Sequence, residues 1–174
     1  NDVSNISFIK ACIDIGDYDK AQNFIDSNIE NVNNHSIEFI NTLIDFYGKI
    51  GDIDNALNIF NKISRNKKED VASIGAMMNA YNNKGQYDKS ISLYQQYYDS
   101  VKHNDITNIL FIKACINIAD YDKVQQFINL NIENVNNHSI EFINTLIDFY
   151  GKIGDINNAL NVFDNIFQNK KDIV

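Results

Sequence analysis

The 174-residue sequence has no proline, no tryptophan, two cysteines and seven glycines. Without proline, no fixed point in the chain forces a helix to stop or kink, so helix can follow helix. Two cysteines build no disulfide framework. Cys12 and Cys115 stand 103 residues apart at equivalent places, and they read as small buried apolar residues. No apolar run approaches the roughly 18 residues of a membrane span. Positive charge is in short supply, with 15 Lys and Arg against 23 Asp and Glu and a net charge of −8. That balance argues against indiscriminate attraction to nucleic acid or to an anionic membrane. His35, His103 and His138 lie away from any cysteine or carboxylate cluster with ligand spacing, and they read as surface residues of turns. There is no Gly-rich phosphate loop and no isolated carboxylate pair poised for acid–base work. No cofactor, no metal and no catalytic activity are expected.

What the sequence does have is itself, twice. Residues 29–53 and 132–156 are identical. Inside that long copy runs a shorter period of 34 or 35 residues, carried by Tyr18, Ile53, Tyr87, Tyr121 and Ile156. Two residues before each stand Gly16, Gly51, Gly85, Ala119 and Gly154. Three residues after each stand Ala21, Ala56, Ser90, Val124 and Ala159. A period of this length marks a repeat architecture in which each unit is one supersecondary element. Apolar residues at helical spacing lie on both sides of each glycine: Ile6, Ile9, Cys12 and Ile13, then Ala21, Phe24, Ile25 and Ile29, in the first unit; Phe39, Ile40, Leu43, Ile44, Phe46 and Tyr47, then Leu57, Ile59, Phe60 and Ile63, in the second. The first helix of the second unit is apolar over too wide a surface for a lone hairpin, so it needs neighbours on both sides. The expected fold is all-α: an α-solenoid of about five tandem helix-turn-helix repeats in a right-handed superhelix. The expected units are 1–36, 37–70, 71–104, 105–139 and 140–174, in one array cut from a longer protein.

The residues Asn41, Thr42, Leu43, Ile44, Asp45, Tyr47, Lys49, Gly51, Ala56 and Phe60 follow the order N-T-L-I-D-x-Y-x-K-x-G-x-x-x-x-A-x-x-x-F. This order resembles the pentatricopeptide repeat. Tetratricopeptide repeats would instead want an early Trp. The stretches 8–21 and 111–124 resemble L-type motifs, 37–70 and 140–174 S-type motifs, and 76–94 a P-type motif, which makes the whole chain similar to a P-L-S array.

The resemblance implies sequence-selective binding of single-stranded RNA, one base per unit, in organellar RNA processing, editing or translation. It implies a mitochondrial location, with neither membrane nor DNA as a partner. The base would be addressed from the fifth position of each motif together with its last residue. Carried over column by column, the fifth positions are Ile6, Asn41, Gly75, Ile109 and Asn144. The closing positions are Ser36, Asp70, Asn104 or Asp105, Ser139, and Asp172 or Ile173. The resemblance therefore selects Asn41, Asp70, Gly75, Asp105 and Asn144 as base contacts. Lys49, Lys84 and Lys152, near the ends of first helices, would meet the RNA backbone. Glu38 and Glu141 occupy the second position, where the family uses an apolar residue against the base. A groove dominated by them would instead suit a protein-binding or architectural scaffold, for example within a mitochondrial ribosome or another large organellar RNA or protein complex.

Overall fold

The computed structural model describes residues 1–29, 31–66 and 70–171. Its regular elements are set locally by how each helix starts and stops. First helices begin on a side-chain acceptor: Asn1, Ser36, Asp70, Asn104 and Ser139 cap α1 (Asp2–Ile15), α3 (Ile37–Ile50), α5 (Val71–Asn83), α7 (Asp105–Asn117) and α9 (Ile140–Lys152), each accepting a hydrogen bond from a backbone N–H of the first turn. The helices end where the chain turns left-handed. Gly51 does so at φ 77°, and Ala119 fills the same column at φ 59°, a conformation that costs a residue with a Cβ. Second helices follow at once: α2 (Tyr18–Asn28), α4 (Ile53–Asn66), α6 (Tyr87–Tyr97), α8 (Tyr121–Asn131) and α10 (Ile156–Lys171). Short 3-10 turns at Val32–Asn34 and Val135–Asn137 lead into α3 and α9. No strand occurs among the described residues.

The chain divides into two compact units, Asn1–Lys102 and His103–Val174. In the first, α3 is central: it packs on α1, α4 and α5. Phe39, Ile40, Leu43, Ile44 and Phe46 of α3 are almost completely buried, as are Ile9 of α1 and Ile74, Met77 and Met78 of α5. Close approach of α3 and α5 needs Gly48, because a Cβ there would come within 2.6 Å of the Ala80 Cβ. In the second unit α9 packs on α7 and α10. Its core holds Phe111, Ile112, Cys115, Phe142, Leu146 and Phe149. Both cysteines are free and buried, and burial pushes the Cys115 thiol up to about 12. Among the described residues, no helix is long and apolar enough to cross a membrane. Each hairpin thus shares its first-helix face with a neighbouring hairpin, the arrangement by which short units that cannot bury a core alone become stable.

Candidate functional site

The site expected from the sequence lies along the first turns of the first helices. Asn41 sits half-buried on α3, at the face turned to α5. Its amide carbonyl is occupied: Ser73 Oγ donates to Asn41 Oδ1 at 2.7 Å. Asp70, the cap of α5, meets the same serine from the other side, its Oδ1 accepting from the Ser73 N–H at 2.7 Å. The fifth-position residue of one hairpin and the closing residue before the next are therefore joined through one buried hydroxyl-bearing residue. Asn144, the copy of Asn41 on α9, is exposed and has no hydrogen-bond partner among the described residues.

Two expected contacts are placed differently. Gly75 is buried on α5 and offers no surface. Asp105 is not a free carboxylate awaiting a base but one arm of a clamp. Its Oδ1 lies 2.7 Å from His138 Nδ1, and its Oδ2 accepts from the Ser139 N–H at 2.5 Å. The closing residue that matches Asp70 in geometry is Asn104, which caps α7 and accepts from the Thr107 N–H at 3.1 Å. The remaining closing candidates, Asp172 and Ile173, lie outside the described residues.

The clamp occurs twice. Asp2 Oδ1 lies 2.7 Å from His35 Nδ1, and Asp2 Oδ2 accepts from the Ser36 N–H at 2.6 Å. A carboxylate only accepts, so each histidine carries its proton on Nδ1. Each ring also lies against a phenylalanine in the first turn of the next helix, with centroids 4.5 Å apart for His35 and Phe39 and 4.4 Å for His138 and Phe142. His35 and His138 are therefore half-buried structural residues, not the surface residues their turns suggested. The hydrogen bonds from His35 and then Ser36 hold the Asp2 carboxyl down to about 2. For Asp105 burial pushes upward, but the bonds from His138 and Ser139 outweigh it and the carboxyl lies below its ordinary range.

The lysines are exposed, as helix-end lysines tend to be. Lys49 lies in the last turn of α3. Lys84 follows α5 and lays its ammonium beside Gly51, 3.1 Å from where a Cβ would stand. Lys152, in the last turn of α9, has its Nζ 3.8 Å from Asp148 Oδ1. In the second unit Lys152 shares a cleft of about 430 Å³ with Lys113, Asn117, Tyr121 and Asp148. Glu38 and Glu141 are exposed on the first turns of α3 and α9. No group of three or more metal-ligating side chains occurs among the described residues.

Sequence reasoning missed Ser73 and the two aspartate–histidine clamps. The clamps had a signal, since Asp2 and Asp105, and His35 and His138, recur at the same offset of 103 as the rest of the copy.

Helical hairpins that bury their first helices against one another, each opened by a capping residue and closed by a left-handed turn, define a helical-repeat protein of the α-solenoid class. A family model described as the PPR repeat matches residues 40–67, 73–97 and 143–169. A mitochondrial pentatricopeptide repeat-containing protein of Arabidopsis thaliana is 30% identical over 127 residues, covering 72% of this chain and 18% of the relative. A chloroplastic one from the same plant is 29% identical over 135 residues, covering 75% of this chain and 18% of the relative. The chain belongs to the pentatricopeptide repeat family, and it spans about a fifth of the length of these relatives. The crystal structure of the maize pentatricopeptide repeat protein PPR10 in complex with an 18-nt psaJ RNA element matches with a TM-score of 0.63 at 19% identity. That match covers 92% of this chain and 24% of PPR10, and it is a likeness of fold.

Proposed function

We propose that this chain is a single-stranded RNA-binding segment of an organellar pentatricopeptide repeat protein, with its five hairpins read as one array of P-L-S type. The observation that carries the reading is the convergence of Asn41 and Asp70 on Ser73, which brings an amide and a carboxylate to the same first turn. A base splayed from its stack offers its Watson–Crick edge to short polar side chains of this kind. Asn41 keeps its amino group, and Asp70 its second oxygen, without a partner among the described residues. Asn144 offers a second amide at the same motif position. Lys49 stands at the far end of α3, about 12 Å from Asn41 at 1.5 Å per residue, and Lys84 just past the end of α5, about 16 Å from Ser73. There they meet phosphates, as Lys152 does beside Lys113. Local charge of this kind supports phosphate contact on an acidic protein. RNA bound in the complex with PPR10, together with organellar names for two relatives, supports the partner and the compartment.

The role is one of address: the segment selects RNA for processing, editing or translation and performs no chemistry of its own. A scaffold role is the second reading. It draws on exposed Glu38 and Glu141, which repel phosphate at the start of α3 and α9.

The experiment is titration of the chain into a labelled single strand rich in uridine, over a range of salt. Binding is expected to be of micromolar order and to weaken with salt at a slope near −0.7 per phosphate neutralised. Asn41→Ala with Asp70→Ala should lower affinity, and Lys49→Gln with Lys84→Gln should flatten the salt slope. Equal binding by wild type and the first double variant rejects Asn41 and Asp70 as contacts. Absence of binding at low salt favours the scaffold.

A further inference from the structure

We infer that Ser73 is a positioning residue for the reading contact: it ties down the carbonyl of Asn41, so that this amide presents only its amino group, and the base group met there is a hydrogen-bond acceptor. The inference rests on the RNA-binding function proposed above. Ser73 is completely buried, one turn into α5. Its backbone N–H is committed to Asp70 Oδ1 and its hydroxyl proton to Asn41 Oδ1, both at 2.7 Å. A serine hydroxyl has one proton to give. Were the Asn41 amide to turn over, its amino group would face the Ser73 oxygen, and the hydroxyl would have to give up its 2.7 Å bond to Asn41 for the carbonyl of its own cap residue, as Thr107 does toward Asn104 at 3.0 Å. The shorter bond favours the inward carbonyl.

Asn144 lies in the same 25-residue sequence as Asn41, since 132–156 repeats 29–53. Ser73 lies outside that copied stretch, on the hairpin that follows Asn41. The fifth-position residue and the closing residue are thereby joined by a third, Ser73, that touches no base itself. Preorganising a contact group with a buried partner is how selectivity is gained without adding contacts to the ligand.

The test uses the full chain and three ten-nucleotide homopolymers, of uridine, cytidine and adenosine, with fluorescence anisotropy as the readout. The quantity followed is the ratio of the tightest to the weakest affinity, beside the thermal midpoint of each protein. Ser73→Cys keeps the buried volume but replaces the hydroxyl with a weak donor. Ser73→Thr keeps the hydroxyl. Asn41→Asp keeps an acceptor for Ser73 and offers no donor outward. Wild type and Ser73→Thr should show the same ratio, and Ser73→Cys should shrink it by roughly threefold, the scale of one net hydrogen bond. Asn41→Asp should remove the contribution of this position altogether. A ratio preserved in Ser73→Cys but lost in Asn41→Asp overturns the positioning role and leaves the reading contact standing. A fall in thermal midpoint for Ser73→Cys with an unchanged ratio makes Ser73 purely structural and likewise overturns it. A ratio untouched in Asn41→Asp, or no preference in wild type, removes Asn41 as a reading residue, and the inference falls with it.

Discussion

Residues 29–53 and 132–156 have one sequence and two environments. In the first copy α3 lies between α1 and α5; in the second, α9 packs on α7 and α10. The hairpin-facing side is the same in both: Leu43 and Leu146 are each 1% exposed. The other side is not. Ile44 is fully buried whereas Ile147 is half-buried. Ile53 is 7% exposed and Ile156 58%. Gly48 is pressed against Ala80, whereas a Cβ on Gly151 would meet nothing within 4 Å. Asn41 is bonded to Ser73, and Gly48 meets Ala80, because α5 of the following hairpin covers α3. A repeat sequence thus specifies its own hairpin, while the next hairpin completes its outer face. Repeat stability accordingly divides into an intrinsic part and an interface part.

The comparison sharpens first at the shared core. Leu43→Ala and Leu146→Ala should each cost about 2–5 kcal/mol through the cavity left behind. Denaturant unfolding of the two variants should shift by similar amounts; a large inequality would mean the two inner faces are not equivalent. The outer face should then separate the copies. Ile44→Ala belongs in that same range of about 2–5 kcal/mol, while Ile147→Ala should cost under half as much, because less apolar surface is buried there.

Glycine replacement should change sign between the copies. Gly48→Ala drives a methyl against Ala80 and should destabilise by about 1–3 kcal/mol, as overpacking does. Gly151→Ala should stabilise by about 0.5–1 kcal/mol, the helix propensity gained where space is open. Thermal midpoints moving the same way for both would contradict the difference in packing. Ala119→Gly should stabilise by up to about 1 kcal/mol, since it relieves a left-handed residue with a Cβ.

Acid should act on both copies alike, through the clamps that tie His35 and Ser36 to Asp2 and His138 and Ser139 to Asp105. Asp2 has a folded value near 2 against an ordinary 3.8, and Asp105 is shifted in the same direction. A depressed carboxylate contributes stability above its unfolded value and loses it as pH falls towards its folded value. For Asp2 that loss falls between about pH 4 and pH 2. Asp2→Asn with Asp105→Asn should flatten this acid limb when thermal midpoint is followed against pH; an unchanged limb would place the acid sensitivity elsewhere.

Much of the fold was written locally. The column of Gly16, Gly51, Gly85 and Gly154 marks the left-handed helix ends because few other residues sit there without strain. The apolar stripes of α3 mark a helix covered on two sides because their width exceeds what one partner can bury. The candidate site was written less fully. Asn41 and Asp70 stood out by motif, but Ser73 joins them only through the packing of α5 on α3, which no local pattern reveals. The choice between Asn104 and Asp105 is a one-residue register question, decided by which side chain reaches back to cap the helix. Gly75 met the motif's position but not its exposure, because burial depends on neighbours. The clamps pair residues 33 apart, beyond any helical period, and their repetition was the sole sequence trace.

The most direct measurement is an NMR titration of the isotopically labelled chain with a single-stranded oligouridylate at low salt, following side-chain amides. The Asn41 and Asn144 amide protons and the backbone signals of Asp70 and Val71 should shift, while exposed asparagines of the second helices, such as Asn23 and Asn58, stay in place. Shifts confined to the second helices, or none at saturating RNA, would show that the first-turn amides do not face RNA.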